Sequence, residues 1–200
     1  MARPVDGAKK KKPSLLSSFQ AQMHELGRTP VAKNQRKSIS WFKKRVHDAI
    51  RSKKVQMPHK GNMYVFAYDA KTKAELPYWD KFPCVLCLGV SKGYMLGLNL
   101  HYIPPKEREK FLTKVIRYSN TKVVSNNTRL IVDWGRVKNV KFSKHMVKLY
   151  ILGRVKGSLE EVKPMDWFNV IYMPIQQFVA KNGRNISAVR AYDDRYRRGK

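Results

Sequence analysis

Residues 61–105 read GNMYVFAYDAKTKAELPYWDKFPCVLCLGVSKGYMLGLNLHYIPP. Met63 to Tyr68 is rich in β-branched and aromatic residues, and its alternation places Tyr64, Phe66 and Tyr68 on one face of a strand. The polar AKTKAE stretch then reads as a turn or short loop. CVLCLGV, after Pro83, is a continuous apolar run of buried-strand length. Ser91-Lys92-Gly93 supplies a turn, and YMLGLNLHYI follows as the hairpin partner. Three strands in so short a span predict a compact, curved antiparallel sheet. Gly89, Gly93 and Gly97 are spaced as hairpin glycines and do not form a phosphate cradle.

Outward from this block, Pro104 and Pro105 stop the last strand and open a helix, because proline suits a first helical turn and cannot extend a central strand. Phe111, Leu112, Val115 and Ile116 form its apolar stripe, with Lys106, Arg108, Lys110, Lys114 and Arg117 elsewhere. Residues 128–137 (TRLIVDWGRV) favour a further helix, as do Met146, Val147, Tyr150, Ile151 and Val155. LEEV and FNVIYMP read as strands separated by the turn formers of KPMD, and residues 175–180 as a short final helix. The expected fold class is α+β: a small curved antiparallel sheet of about five strands, with packed helices and basic flexible or extended termini. The expected division is a basic arm at 1–13, a basic helical region at 14–60, the α+β body at 61–180 and a basic tail at 181–200.

The 200 residues carry 42 Lys and Arg against 14 Asp and Glu, a net charge of +28, with 42% apolar residues. A real core is affordable at that apolar share. Self-repulsion of such a charge disfavours an enzyme of small neutral substrates and points to a polyanionic partner, nucleic acid first. Residues 1–60 hold 16 basic and 3 acidic residues (+13), residues 61–180 hold 19 and 9 (+10), and residues 181–200 hold 7 and 2 (+5). The ends are disproportionately basic. Ser14 as N-cap with Leu15, Leu16, Phe19 and Met23 marks one N-terminal helix, and Ile39, Phe42, Val46 and Ile50 mark a second, strongly basic one. Phosphate contacts are therefore expected from Lys9, Lys10, Lys11 and Lys12, from Lys43, Lys44, Arg45, Arg51, Lys53 and Lys54 around that second helix, and from Arg195, Arg197 and Arg198. The N-terminus lacks the apolar core of a secretory signal, and no stretch approaches the ~18 apolar residues of a membrane span, so a soluble intracellular protein without membrane contact is expected.

Catalytic constellations are sparse. Cys84 and Cys87 sit three apart on a predicted strand, facing opposite ways and roughly 10 Å apart, which predicts buried free thiols. His24, His47, His59, His101 and His145 lack metal-ligand spacing, and His101, beside Asn99 and Tyr102, is expected to satisfy a backbone carbonyl. No cofactor or metal is expected, and no phosphate-binding loop or nucleophile elbow occurs. A metal-dependent nuclease would have to be assembled from Asp133, Glu161 and Lys163, a loose pattern that equally describes a charge pair at a strand edge. Among the aromatics, Tyr78 and Trp79, in a loop between Pro77 and Asp80, are the candidates for base stacking.

Three segments carry a family likeness. Met63 to Lys73, Leu76 to Pro83 (with Trp79 where the pattern has a second tyrosine) and Gly97 to Pro104 resemble T4-like tailed-phage virion proteins of the DNA end protector type. Trp167 and Met173 to Phe178 resemble the same group more weakly. The strong part covers about a quarter of the chain and leaves the basic N-terminal region outside it. The resemblance implies a non-enzymatic virion protein that travels with packaged double-stranded DNA into the host cytoplasm, sits on its ends and denies them to a host exonuclease. Phosphate contacts without base readout suit that task. A head-tail connector, neck or baseplate component, whose basic arms contact neighbouring virion proteins, is the alternative reading, and a metal-dependent nuclease the second alternative.

Overall fold

The computed structural model describes residues 52–121, 124–139, 143–173 and 175–197, the last three by backbone alone. The two N-terminal helical stripes, with Lys9 to Lys12, Lys43, Lys44, Arg45 and Arg51, lie outside the described residues, as does Arg198. The fold is α+β, with a six-stranded antiparallel sheet where about five strands were expected and a second, three-stranded sheet beside it.

The large sheet consists of β1 (Lys53–Val55), β2 (Met63–Tyr68), β4 (Cys84–Ser91), β5 (Tyr94–Asn99), β6 (Val147–Ile151) and β7 (Val155–Val162), in the order β1-β7-β2-β4-β5-β6. The small sheet pairs β3 (Tyr78–Asp80), β8 (Phe178–Ala180) and β9 (Asn185–Ile186). Period-2 alternation divides β2 and β4 between two cores. Met63, Val65, Cys84, Leu86 and Leu88 enter an aliphatic core together with Leu98, Leu112, Val115, Trp167 and Val170. Tyr64, Phe66, Val85 and Cys87 enter a second core with Met95, Tyr150 and Leu159. Burial on both faces explains why the CVLCLGV run is continuously apolar. The two cysteines are free and buried in different cores, as their spacing predicts. Burial pushes the Cys84 thiol up to about 12 and the Cys87 thiol to about 11.

The sheet is strongly curled. Two strands separate β2 from β6, so about 14 Å would part them if it were flat. Yet the Tyr68 and Tyr150 rings lie 4.9 Å apart, and the Ile151 amide donates to Tyr68 Oη at 3.2 Å. A three-residue 3-10 turn (Leu152–Arg154) then links β6 directly to β7, which pairs with β2 on its other side. Gly97 permits the tight β4–β5 approach, since a Cβ there would lie 2.2 Å from Val85 Cγ1. Gly93, with φ +74°, makes the two-residue hairpin turn.

Several expected elements differ. Helix α1 (Pro105–Ile116) forms as the prolines predict, but Arg108 joins Phe111, Leu112 and Val115 on its buried face. Residues 130–133 alternate buried and exposed, and only α2 (Trp134–Val137), capped by Asp133, is helical. The expected helix over 146–155 is instead α3 (Ser143–Met146) followed by strand β6, because β5 presents an open edge that Val147 to Ile151 completes. FNVIYMP is no strand: Trp167, Val170 and Ile171 are buried at helical spacing in and just after α4 (Trp167–Val170). Residues 178–180 pair with β3 and are not helical, and the C-terminal segment contributes β9 and α5 (Ala188–Arg197). Lys53 and Lys54 belong to β1, not to a basic helix, and stand opposite Glu161 and Glu160 of β7.

Candidate nucleic-acid interface

The buried Asp80 carboxylate organises the region where the two sheets meet. It accepts hydrogen bonds from Asn99 Nδ2 (3.2 Å), His101 Nδ1 (2.7 Å) and the amides of Phe82 (3.1 Å) and Gln177 (3.2 Å). This ties β3 to the end of β5 and to the segment entering β8. His101 thus bonds a carboxylate 21 residues upstream, where a backbone carbonyl was expected. Burial lowers its proton affinity more than Asp80 raises it, so the contact joins a neutral imidazole to a carboxylate.

Around this floor the structure builds an aromatic groove of about 530 Å³, a volume suited to a small organic group. Tyr78 and Tyr102 lie nearly parallel, with centroids 6.1 Å apart, and both meet Phe178 edge-on at 5.7 and 5.1 Å. Tyr68 and Tyr150 close one end, and Tyr94 stands 43% exposed at the surface. Lys148 Nζ lies 4.4 Å from the Tyr102 ring centroid, a cation–π contact, and donates to the His145 carbonyl at 3.1 Å. Lys71 and Lys144 supply exposed cations on the lining. Desolvation raises the Tyr102 and Tyr150 hydroxyls, so these rings stay neutral.

A second cleft of about 550 Å³ adjoins the first and shares Tyr68 and Trp79 with it. Lys73, Lys81, Lys156 and Lys181 line it against a single carboxylate, Asp69. Asp69 pairs with Lys73 at 3.0 Å and with Arg154 at 3.7 Å, and the Lys73 hydrogen bond holds its carboxyl below the usual range. The first cleft therefore combines aromatic rings with a few cations, and the second is predominantly cationic.

Tyr78 and Trp79 accordingly sit on a strand, half-buried, rather than in the exposed loop that their neighbours Pro77 and Asp80 suggested. Pairing with β8 and packing on Phe178 fix them there. Of the cations chosen from sequence, the structure shows the side chains of Lys53 and Lys54 alone, exposed on β1 and lining neither cleft. Arg195 and Arg197 lie on α5 by backbone. The lysines that do converge form no run in the chain. Each comes from a different turn or strand, and the K-x-K pair of the AKTK turn was their one local trace.

The nuclease residues serve other ends. Asp133 Oδ1 caps α2 by accepting the Arg136 amide at 3.0 Å, and Glu161 accepts from Tyr64 Oη at 3.4 Å. Among the described residues no group of three His, Cys, Asp or Glu is placed to hold a metal ion. No described helix is long and apolar enough to cross a membrane.

The model of the phage T4 terminal DNA protecting protein family matches residues 3–195. The chain belongs to that family. The match runs through the basic N-terminal residues, well beyond the segments that carried the resemblance. Terminal DNA protection, for which the family is named, is a binding task. Comparison with curated proteins and with solved structures gave no match.

Proposed function

We propose that this phage protein binds the ends of double-stranded DNA without reading sequence and shields them sterically from exonuclease, without catalysis of its own. Membership of the terminal DNA protecting family, over nearly the whole chain, is the observation that carries this reading. The charge supports it, since +28 on 200 residues suits a polyphosphate partner. Lys9 to Lys12, the cations from Lys43 to Lys54 and Arg195, Arg197 and Arg198 are the proposed phosphate contacts of the termini. The lysine cleft beside Trp79 adds a set on the folded body. An occupied terminus denies the exonuclease its loading site, so affinity and residence time do the work. The protein would reside in the virion, beside other virion proteins, and enter the host cytoplasm with the DNA.

The test is degradation of linear duplex DNA by a processive exonuclease, with and without stoichiometric full-length protein, alongside binding measured over a salt series. Protection that fades as salt rises, with log affinity falling linearly in log salt, is expected. Degradation at an unchanged rate despite bound protein would overturn end protection, and salt-insensitive binding would overturn the phosphate-contact account.

A further inference from the structure

We infer that the groove between Tyr68, Tyr78, Tyr94 and Tyr102 receives an unpaired nucleotide at the DNA terminus, its base against the rings and its phosphates toward Lys71, Lys144 and the neighbouring lysine cleft. This rests on the end-binding reading and specifies what form of end is held. Three observations converge on it. These four tyrosines line the groove from four elements, Tyr94 the most exposed of them, and base-aromatic stacking is indifferent to sequence because every base has a π-face. Its volume, about 530 Å³, suits one nucleotide and is far too small for a duplex. The cations lie where a backbone would leave it: Lys71 and Lys144 line the groove, and Lys73, Lys81, Lys156 and Lys181 line the cleft beyond Trp79.

The same charges decide against other occupants. The first 60 residues of this chain carry +13 and would be repelled by that lining, so the occupant is an anion. Ring faces favour an anion with planar groups of its own over an acidic peptide. Two carboxylates lie on the lining: Asp80 does not oppose this, because it is buried beneath the surface and its oxygens are taken up by four donors, and Asp194 is outnumbered by Lys71, Lys144 and Lys148. Trp79, on the wall common to both spaces, keeps its indole N–H buried without an acceptor, a donor that a nucleotide oxygen would satisfy after a small side-chain shift.

Full-length protein should be titrated with two duplexes of one sequence, the first fully paired and blunt, the second ending in a short single-stranded oligothymidine overhang. The overhang duplex is expected to bind about tenfold tighter, the worth of roughly one stacked base. Tyr94→Ala should reduce that preference to within about twofold, the overhang duplex losing more affinity than the blunt one. Tyr94 is exposed, and a thermal melt checks that the variant folds. Equal binding of the two duplexes by the wild-type protein, or an equal loss for both in the variant, overturns the inference and leaves end binding standing. Failure to bind either duplex strikes the end-binding reading itself. A terminal 5-bromouracil, irradiated in the complex, should cross-link to peptides containing residues 68–102; adducts confined to residues 1–60 would place the terminus elsewhere.

Discussion

The two faces of the large sheet are built from different chemistry. One is mainly aliphatic, with Leu86, Leu98, Leu112, Val115 and Val170 packed with Phe82, Phe111 and the fully buried Trp167. The other is aromatic, and its Phe66, Tyr68 and Tyr150 rings meet edge-to-face across the curl. Aliphatic side chains can only pack. Tyrosines also place a polar tip at the end of an apolar body, so the aromatic face passes continuously from core into the groove. The difference assigns stability mainly to the first face and ligand contact mainly to the second.

Each expected outcome is a way to break that assignment. Trp167→Ala should cost the most, about 3–5 kcal/mol by urea unfolding, since it empties the largest fully buried site and orphans the Val162 carbonyl, which the indole reaches at 3.1 Å. Arg108→Met should cost about 3 kcal/mol. Its buried guanidinium donates to the Ile103 and Ile171 carbonyls (2.9 and 2.7 Å) and to Tyr192 Oη (2.9 Å), clamping α1, the α4 exit and α5 together. If either variant keeps wild-type stability, the aliphatic side is not where the fold is held.

Effects on the aromatic side should be smaller in stability and visible in binding. Lys81→Ala with Lys156→Ala should weaken duplex binding roughly tenfold and reduce the salt slope by about 1.8, two phosphate contacts' worth, while the melting temperature barely moves. An unchanged slope would take the lysine cleft out of the interface. His101 has its folded pKa depressed by burial, so its contribution to stability is complete above the unfolded value of about 6.5 and falls as pH drops below it. A denaturation series from pH 8 to 5 should lose no more than about 1.4 kcal/mol per pH unit from this group, and His101→Gln should flatten the curve. Tyr68→Phe should cost about 1 kcal/mol, because the Ile151 amide loses its acceptor. A larger loss would show that the curl depends on that hydroxyl.

The sequence was most readable where local pattern and tertiary need coincide. Alternation in Met63 to Tyr68, the glycine turn at 93 and the prolines at 104 and 105 each specify their element without outside help. It was least readable where a neighbour decides. Val147 to Ile151 carries apolar residues compatible with either period, and the open edge of β5 makes it a strand. Arg108 looks like one more surface cation until the neighbouring Ile103 carbonyl, the distant Ile171 carbonyl and a tyrosine from α5 surround it. The candidate site was partly legible, since Tyr78 and Trp79 stood out as aromatics among turn residues. The lysines did not, because Lys73, Lys81, Lys156 and Lys181 meet only after the sheet has formed.

Pairing of β1 with β7 spans more than a hundred residues, as the Ser52 hydroxyl bonded to Glu160 illustrates with a separation of 108. Loop closure of that length comes late in folding, and during synthesis β1 leaves the ribosome long before its partner exists. The strand that joins the basic N-terminal region to the body thus cannot dock until β7 has been made. The first 60 residues, which carry +13, are therefore synthesised well before β7, and the order of synthesis sets when β1 acquires its anchor.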